Sequence, residues 1–167
     1  MPTSWSSSQL RLRASAGGGI GAASGDQEPL ALRDQATIDW VERTLPDSDT
    51  KEWRREHAAP LPVGVHWDVA VLPAALWDGI QARLAAAVRK RPVIADTIRE
   101  EVYLPVPVGT ATTSGIRILR AGAWLLVQHP RHGGARARWL SYPTADSVLT
   151  DTSALVNAIH GYRAVLP

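Results

Sequence analysis

The stretch that decides the fold is "GVHWDVAVLPAALWDGIQARLAAAVRK", residues 64–90, in which an apolar strand runs directly into an amphipathic helix. Val65 to Leu72 predicts a buried strand, because a short apolar run bounded by Gly and Pro is typical of one. Pro73 suits the first turn of a helix. After it, apolar residues recur at every fourth position: Leu76, Ile80, Leu84 and Val88. The pattern therefore predicts an amphipathic helix packed on a sheet.

One acid, Asp68, lies inside this predicted strand. A carboxylate in an apolar run is costly to bury unless a proton, a cation or hydrogen-bond donors compensate it. We therefore expect a specific partner to face Asp68.

The rest of the chain extends this unit into an α+β domain. A short helix is expected within residues 29–45, and a second helix that opens at Asp49 and is ended by Pro60 and Pro62. Further strands are predicted in "RPVIAD", "EEVYLPVPV", "GIRILRAGAWLLVQHP" and "ARARWLSYP", and a capped helix in "LTDTSALVNAIHGY". This order predicts a mostly antiparallel sheet with helices packed on one face.

The first residues differ in composition from the rest. Residues 1–27 are rich in Ser, Gly and Ala without apolar periodicity, which predicts a flexible tail. Residues 28–167 then form one domain, since their number is enough for a single core.

Cysteine usage and hydropathy exclude several classes of function. The chain has no Cys, which rules out disulfides, thiolate nucleophiles and Cys-ligated metals. We expect no cofactor and no bound metal. No apolar run approaches the roughly 20 residues that span a bilayer, and no signal peptide is visible, so we expect a cytoplasmic protein without a membrane partner.

Charge is spread unevenly along the chain. The formal net charge is +2, yet Val102 to Ala145 contains five arginines and no acid, so this stretch carries +5 and the remainder 2 − 5 = −3. Such segregation creates a local positive field that attracts phosphate or an acidic partner.

The Arg-rich segment "QHPRHGGARARW" concentrates this charge around two glycines. Basic side chains on a loop beside aromatic residues suit phosphate contacts and base stacking, with single-stranded nucleic acid as the expected ligand. The predicted nucleic-acid-binding residues are Arg131, His132, Arg136, Arg138 and Trp139. The alternative is an exposed hairpin tip without a ligand. Five other tryptophans are predicted to pack in the core or on the sheet: Trp40, Trp53, Trp67, Trp77 and Trp124.

Three segments resemble the primase-polymerase-like domain of actinobacterial bifunctional DNA primase/polymerase proteins. "HWDVAVLPAALWDGIQARL" resembles the acidic strand and following helix of that family, "EEVYLPVP" resembles its next hairpin strand, and "IRILRAGAWLLVQHP" resembles its strand, glycine turn and second strand. The resemblance covers about 100 residues. It implies a core related to the RNA-recognition-motif sheet.

The resemblance also implies a polymerase site in which carboxylates hold two divalent metals. Asp68 matches the first of these carboxylates, but Ala70 and Arg117 stand at the other two positions. One carboxylate cannot hold two Mg²⁺ ions, so we expect no catalytic residues and no metal ligands. We hypothesise instead that Arg117 replaces the metal and forms a structural ion pair with Asp68.

The expected function is thus a non-catalytic binding or regulatory module that contacts nucleic acid through the Arg-rich loop. One alternative is a protein-interaction or homodimerising component without nucleic-acid binding. Another is a residual single-metal enzyme on a phosphorylated substrate, with His66 and Asp68 as two of the ligands.

Overall fold

A computed structural model describes residues 30–44, 53, 58–88, 91–113, 115–131, 134, 136–144 and 149–165. Its helices are α1 (Leu30–Glu42), α2 (Ala74–Val88) and α3 (Thr152–Arg163). Its strands are β1 (Ala58–Pro62), β2 (Asp68–Pro73), β3 (Val93–Asp96), β4 (Glu101–Val106), β5 (Arg117–Leu119), β6 (Trp124–Gln128) and β7 (Ala137–Ser141). Of the helices in these ranges, none has the length and apolar character needed to cross a membrane.

The strands form two antiparallel sheets. Five strands make the main sheet in the order β5-β2-β4-β3-β7, and β1 pairs with β6 in a separate two-stranded sheet. The main pairs β2–β4, β2–β5, β3–β4 and β3–β7 are all antiparallel. The expected α+β class with antiparallel sheets is therefore confirmed.

Helices α2 and α3 cover one face of the main sheet. Strand side chains alternate between the two faces, so Leu72 on β2 and Leu104 on β4 reach the same layer as Ile80 on α2 and Ile159 on α3. The two helices approach closely at Gly79, where an added Cβ would lie only 2.3 Å from Tyr162 Cζ. This face is thus a closed apolar core.

Helix α1 and the two-stranded sheet cover the opposite face. Val69, Val71 and Tyr103 project to this side, where the core is rich in tryptophan. The Trp40 ring stacks on Trp67 with centroids 5.6 Å apart and meets Trp139 edge-on at 6.0 Å. Offset and edge-to-face contacts of this kind add to the burial energy of large rings. The burial of Trp40 and Trp67 confirms the core role that was predicted for them.

The segment around the two prolines departs from the prediction. Pro60 and Pro62 were expected to end a helix, but they belong to β1. The Val63 N–H donates to Ala123 O at 3.0 Å. In an antiparallel pair such bonds recur at every second residue, so residues 59 and 61 also bond to β6. The backbone nitrogens of residues 60 and 62 point away from β6. A proline at such a position costs no hydrogen bond to the partner strand, although it lacks an N–H, and it is therefore tolerated on this edge.

Two further boundaries differ from the sequence prediction. Strand β2 begins at Asp68 and not at Val65, because Gly64 adopts φ +88° and residues 63–66 form a bend. The predicted flexible tail, residues 1–27, lies outside the described residues. Of the second predicted helix between Asp49 and Pro60, the structure describes Trp53 and the first residues of β1.

Candidate functional site

A polar cleft of about 320 Å³ opens at one end of the main sheet, on the face that α1 and the small sheet cover. The cleft lies between β6 and the ends of the main-sheet strands, where α1 and the small sheet no longer cover the main sheet. Its polar lining residues are Asp96, Arg99, Glu101, Tyr103 and Arg117, and apolar residues of β5, β6 and β7 complete the wall. Among the described residues this is the densest group of interacting charged side chains, so we take it as the candidate site.

Strand register explains why these side chains meet. Glu101 on β4 pairs directly with Asp96 on β3. On the other side of β4, Val71 of β2 lies between Tyr103 and Arg117 of β5, because it is opposite both of them. Two like charges directly opposite each other destabilise a sheet unless cations compensate them. Arg99 and Arg117 supply that compensation.

Asp96 shapes the turn between β3 and β4. Its Oδ1 accepts hydrogen bonds from the N–H groups of Ile98 and Arg99, both at 2.9 Å, and its Oδ2 lies 3.4 Å from Arg99 Nη1. This is the local pattern by which Asp stabilises turns. The same turn contains Glu100 with φ +55°, an uncommon conformation for a residue other than glycine. The carboxylate of Asp96 therefore positions Arg99 at the mouth of the cleft.

Glu101 joins the two sides of the cleft. Arg117 Nη2 donates to its Oε1 at 2.6 Å, and the Tyr103 hydroxyl donates to its Oε2 at 2.8 Å. Burial, together with the hydrogen bond and the charge of Glu101, raises the pKa of Tyr103 to about 12. Tyr103 consequently remains a neutral donor, and both oxygens of Glu101 are occupied.

The end of the Arg-rich loop is bonded to the turn at the mouth of the cleft. The N–H and the hydroxyl of Thr97 donate to Arg136 O at 2.8 and 3.1 Å, which ties the start of β7 to the β3–β4 turn. The next residue, Ala137, lines the cleft, and the Arg136 side chain is exposed. The backbone of the expected nucleic-acid residue Arg136 is thus tied to the β3–β4 turn, but its side chain is not among those that line the cleft.

The other residues expected to bind nucleic acid lie elsewhere. Arg131 Nε pairs with Asp34 Oδ2 of α1 at 3.2 Å. Arg138 is exposed, but it lies opposite Ala95, so it projects to the face of α2 and α3. His132 lies outside the described residues.

Trp139 is part of the core. Its side chain is 9% exposed, its Nε1 donates to Gln128 O at 3.0 Å, and its ring stacks on Tyr142. Base stacking on Trp139 would require the ring to leave this packing. Trp124 is the reverse case, because it was expected to pack and is instead 64% exposed.

The expected ion pair between Asp68 and Arg117 does not form. Arg117 lies opposite Val71, and Asp68 lies opposite Val106, so the two side chains project to opposite faces of the sheet. Arg117 pairs with Glu101, whereas Asp68 Oδ2 accepts the Gly109 N–H at 2.9 Å. Asp68 is only 2% exposed and is satisfied by a backbone donor. Its role is to hold the loop after β4.

The cleft was not predicted from the sequence because its lining residues come from five strands and the turns between them. Alternation in "EEVYLP" places Glu101 and Tyr103 on one face of β4, which was a visible signal. Nothing in the sequence indicated that Asp96, Arg99 and Arg117 would join them, because that depends on the strand order.

The chemistry that the cleft offers is recognition of charge. Within the part of the chain that the structure describes, no group of three or more His, Cys, Asp or Glu side chains could hold a metal ion. Comparison with protein-family models, curated protein sequences and solved structures gives no match for this chain.

Proposed function

We propose that the protein is a non-catalytic binding module that contacts single-stranded nucleic acid in the polar cleft. The observation that carries this proposal is that two arginines line one opening, Arg99 on the β3–β4 turn and Arg117 on β5, while hydrogen bonds to its backbone carbonyl hold a third arginine, Arg136, next to that turn. All three side chains are exposed, and two carboxylates pair with Arg99 and Arg117. The excess of guanidinium groups favours a phosphate ligand, since Arg donates in a planar fork that matches phosphate oxygens.

An exposed aromatic side chain adjoins the cleft. Trp124 and Leu126 project from the outer face of the small sheet, while Leu125 and Val127 point into the core. Bases stack on exposed aromatic rings with little sequence preference, and a basic groove that follows the backbone usually accompanies such rings. The Trp124 ring is therefore available to stack on a base of a strand whose phosphates contact the arginines.

The arrangement of the main sheet also supports this proposal. Strand β2, helix α2 and strands β3 and β4 follow one another in the chain, and β2 and β4 are adjacent in the middle of the order β5-β2-β4-β3. Sheets of the RNA-recognition type have their first and third strands central and bind RNA on the face opposite the helices. The cleft is the uncovered end of that face. Such folds place a helix before the fourth strand, whereas the described residues between β4 and β5, 107–113, 115 and 116, form none.

The environment of Asp68 favours binding over nucleotide polymerisation. The resemblance to primase-polymerase domains implies that this carboxylate faces the metals, but here it is buried on the face of α2 and α3, bonded to the Gly109 N–H. Asp96 and Glu101, which do face the cleft, each hold an arginine. The site therefore offers cations for recognition.

Binding of labelled single-stranded oligonucleotides across a salt series tests this proposal. Arg99→Ala with Arg136→Ala should weaken binding at low salt and lower the log–log salt slope by about two units, one for each lost phosphate contact. The matched control is Arg43→Ala with Arg83→Ala, which removes the same charge from exposed positions outside the cleft. Equal slopes for the two double variants would rule out the cleft as the binding site.

Two other outcomes would replace the proposal. A stable oligomer that binds no oligonucleotide would favour the protein-interaction function, with Trp124 and Leu126 as the exposed apolar contact. Stabilisation by Mg²⁺ or Mn²⁺ that disappears in Asp68→Asn would favour the single-metal enzyme.

A further inference from the structure

Two cavities adjoin at the β5 edge of the main sheet. The first is the polar cleft of about 320 Å³, and the second has a volume of about 520 Å³. Glu101 and Arg117 line both of them. The ion pair between these two side chains is therefore the partition between the cavities.

The short length of β5 creates the second cavity. Strand β5 pairs with β2 only from Val69 to Val71, so the edge of β2 at Leu72 and Pro73 is left open on that side. The segment of Thr112, Thr113, Gly115 and Ile116 forms the far wall. A groove thus runs from the cleft, past Arg117, along the open edge of β2.

We infer that Arg117 contacts a backbone phosphate at the boundary of the two cavities, in competition with Glu101, and that the ligand is a single-stranded oligonucleotide with nucleotides on both sides of this residue. This inference rests on the proposed function of the cleft. It adds that the bound strand extends to both sides of Arg117, and it identifies Arg117 as the residue at the centre of the groove.

The contacts of the pair make competition feasible. The Arg117 side chain is 55% exposed, and its bond to Glu101 uses Nη2, so other guanidinium donors remain for a phosphate. Partly exposed ion pairs are weak enough for a ligand to displace them. Glu101 would still accept the Tyr103 hydroxyl after losing Arg117. A phosphate can therefore take Arg117 while Glu101 keeps one of its two hydrogen-bond donors.

Glu101→Gln and Glu100→Gln form a matched pair that isolates this competition. Both remove one negative charge from adjacent positions, but Glu100 lines neither cavity. Glu101→Gln should tighten binding of a labelled hexathymidylate about two- to fivefold, the change that loss of an exposed competing ion pair supports. Glu100→Gln should give a smaller change. Arg117→Ala should weaken binding of the hexamer in both backgrounds.

Ligand length is the second measurement. Thymidine monophosphate, the dinucleotide and the hexamer should bind with increasing affinity, because only the oligomers reach both cavities. Equal affinity of the monophosphate and the hexamer, or equal effects of Glu101→Gln and Glu100→Gln, would overturn the inference. Hexaglutamate provides a polyanion without bases, and binding as tight as that of the hexanucleotide would overturn the nucleotide class.

Together, the variant and ligand-length measurements distinguish failure of this inference from failure of the proposed function. If oligonucleotides bind and the binding depends on Arg99 and Arg136, but not on ligand length or on Glu101, only the inference fails. If no oligonucleotide binds to the wild-type protein, the proposed function fails and the inference fails with it.

Discussion

The two faces of the main sheet solve the problem of a charged side chain in different ways. On the face of α2 and α3, Asp68 is almost fully buried, and a backbone N–H, that of Gly109, satisfies it. On the opposite face, Glu101 pairs with Arg117, and Asp96 adds an ion pair with Arg99 to two backbone donors, and both arginine side chains are more than half exposed. The first arrangement is structural, and the second leaves cations in contact with solvent.

Burial accounts for this difference. A carboxylate that water cannot reach needs a fixed donor nearby, because its desolvation is costly. At an open sheet end, water screens the charges, so ion pairs contribute little to stability and their members can exchange partners. We therefore expect substitutions on the closed face to change stability, and those at the open end to change ligand binding.

The largest effect should come from the centre of the closed face. Leu104→Ala removes a fully buried side chain between β2 and α2, and it should lower the free energy of unfolding by about 2–5 kcal/mol. Chemical denaturation measures this loss. Leu140→Ala on β7 is the matched control, because Leu140 is partly exposed, and it should cost far less. Similar losses for both would show that the closed face is not the main core.

Asp68 tests the backbone donor on the same face. Asp68→Ala leaves the Gly109 N–H without its acceptor, which should cost about 1–3 kcal/mol in unfolding free energy. Asp68→Asn keeps an oxygen acceptor at this place and should cost less. If Asn and Ala destabilise equally, the charge of Asp68 matters more than its bond to Gly109.

Local patterns predicted most of the fold. The helix after Pro73, the strand in "EEVYLP" and the last helix, which Asp151 caps by accepting the Ser153 N–H, each carry a clear period or a capping residue. The strand β1 was missed because Pro60 and Pro62 usually terminate elements. They are tolerated here because their backbone nitrogens point away from the partner strand. That orientation can be predicted only when the partner strand is known.

The candidate site was harder to predict because it depends on strand order and register. Asp68 and Arg117 do lie on adjacent strands, as expected, but a shift of one residue in register reverses the face that a side chain occupies. The sequence also could not show that Thr97 would donate to the Arg136 carbonyl and so join β7 to the β3–β4 turn. Local periodicity contains no information about either contact.

The pH dependence of stability tests the open end of the sheet. Tyr103 has a pKa of about 12 in the folded protein, against about 10 in an unfolded chain. Between these values the unfolded chain releases a proton that the folded protein retains, so unfolding becomes more favourable as pH rises. The wild type should lose more stability than Tyr103→Phe between pH 10 and 12. An equal loss of stability for the wild type and Tyr103→Phe between pH 10 and 12 would show that the fold does not raise the pKa of Tyr103.

The smallest stability effect is expected for Arg117, and it distinguishes the two faces most directly. Arg117→Met removes a partly exposed ion pair with Glu101 and should cost less than about 1 kcal/mol. A buried pair with Asp68 would instead cost about 3–5 kcal/mol when one partner is removed. A double-mutant cycle of Arg117→Met and Asp68→Asn should give additive losses within about 0.5 kcal/mol, because the residues project to opposite faces and share no partner. Coupling well above that value would show that Asp68 and Arg117 do interact, and that the faces are less independent than their contacts indicate.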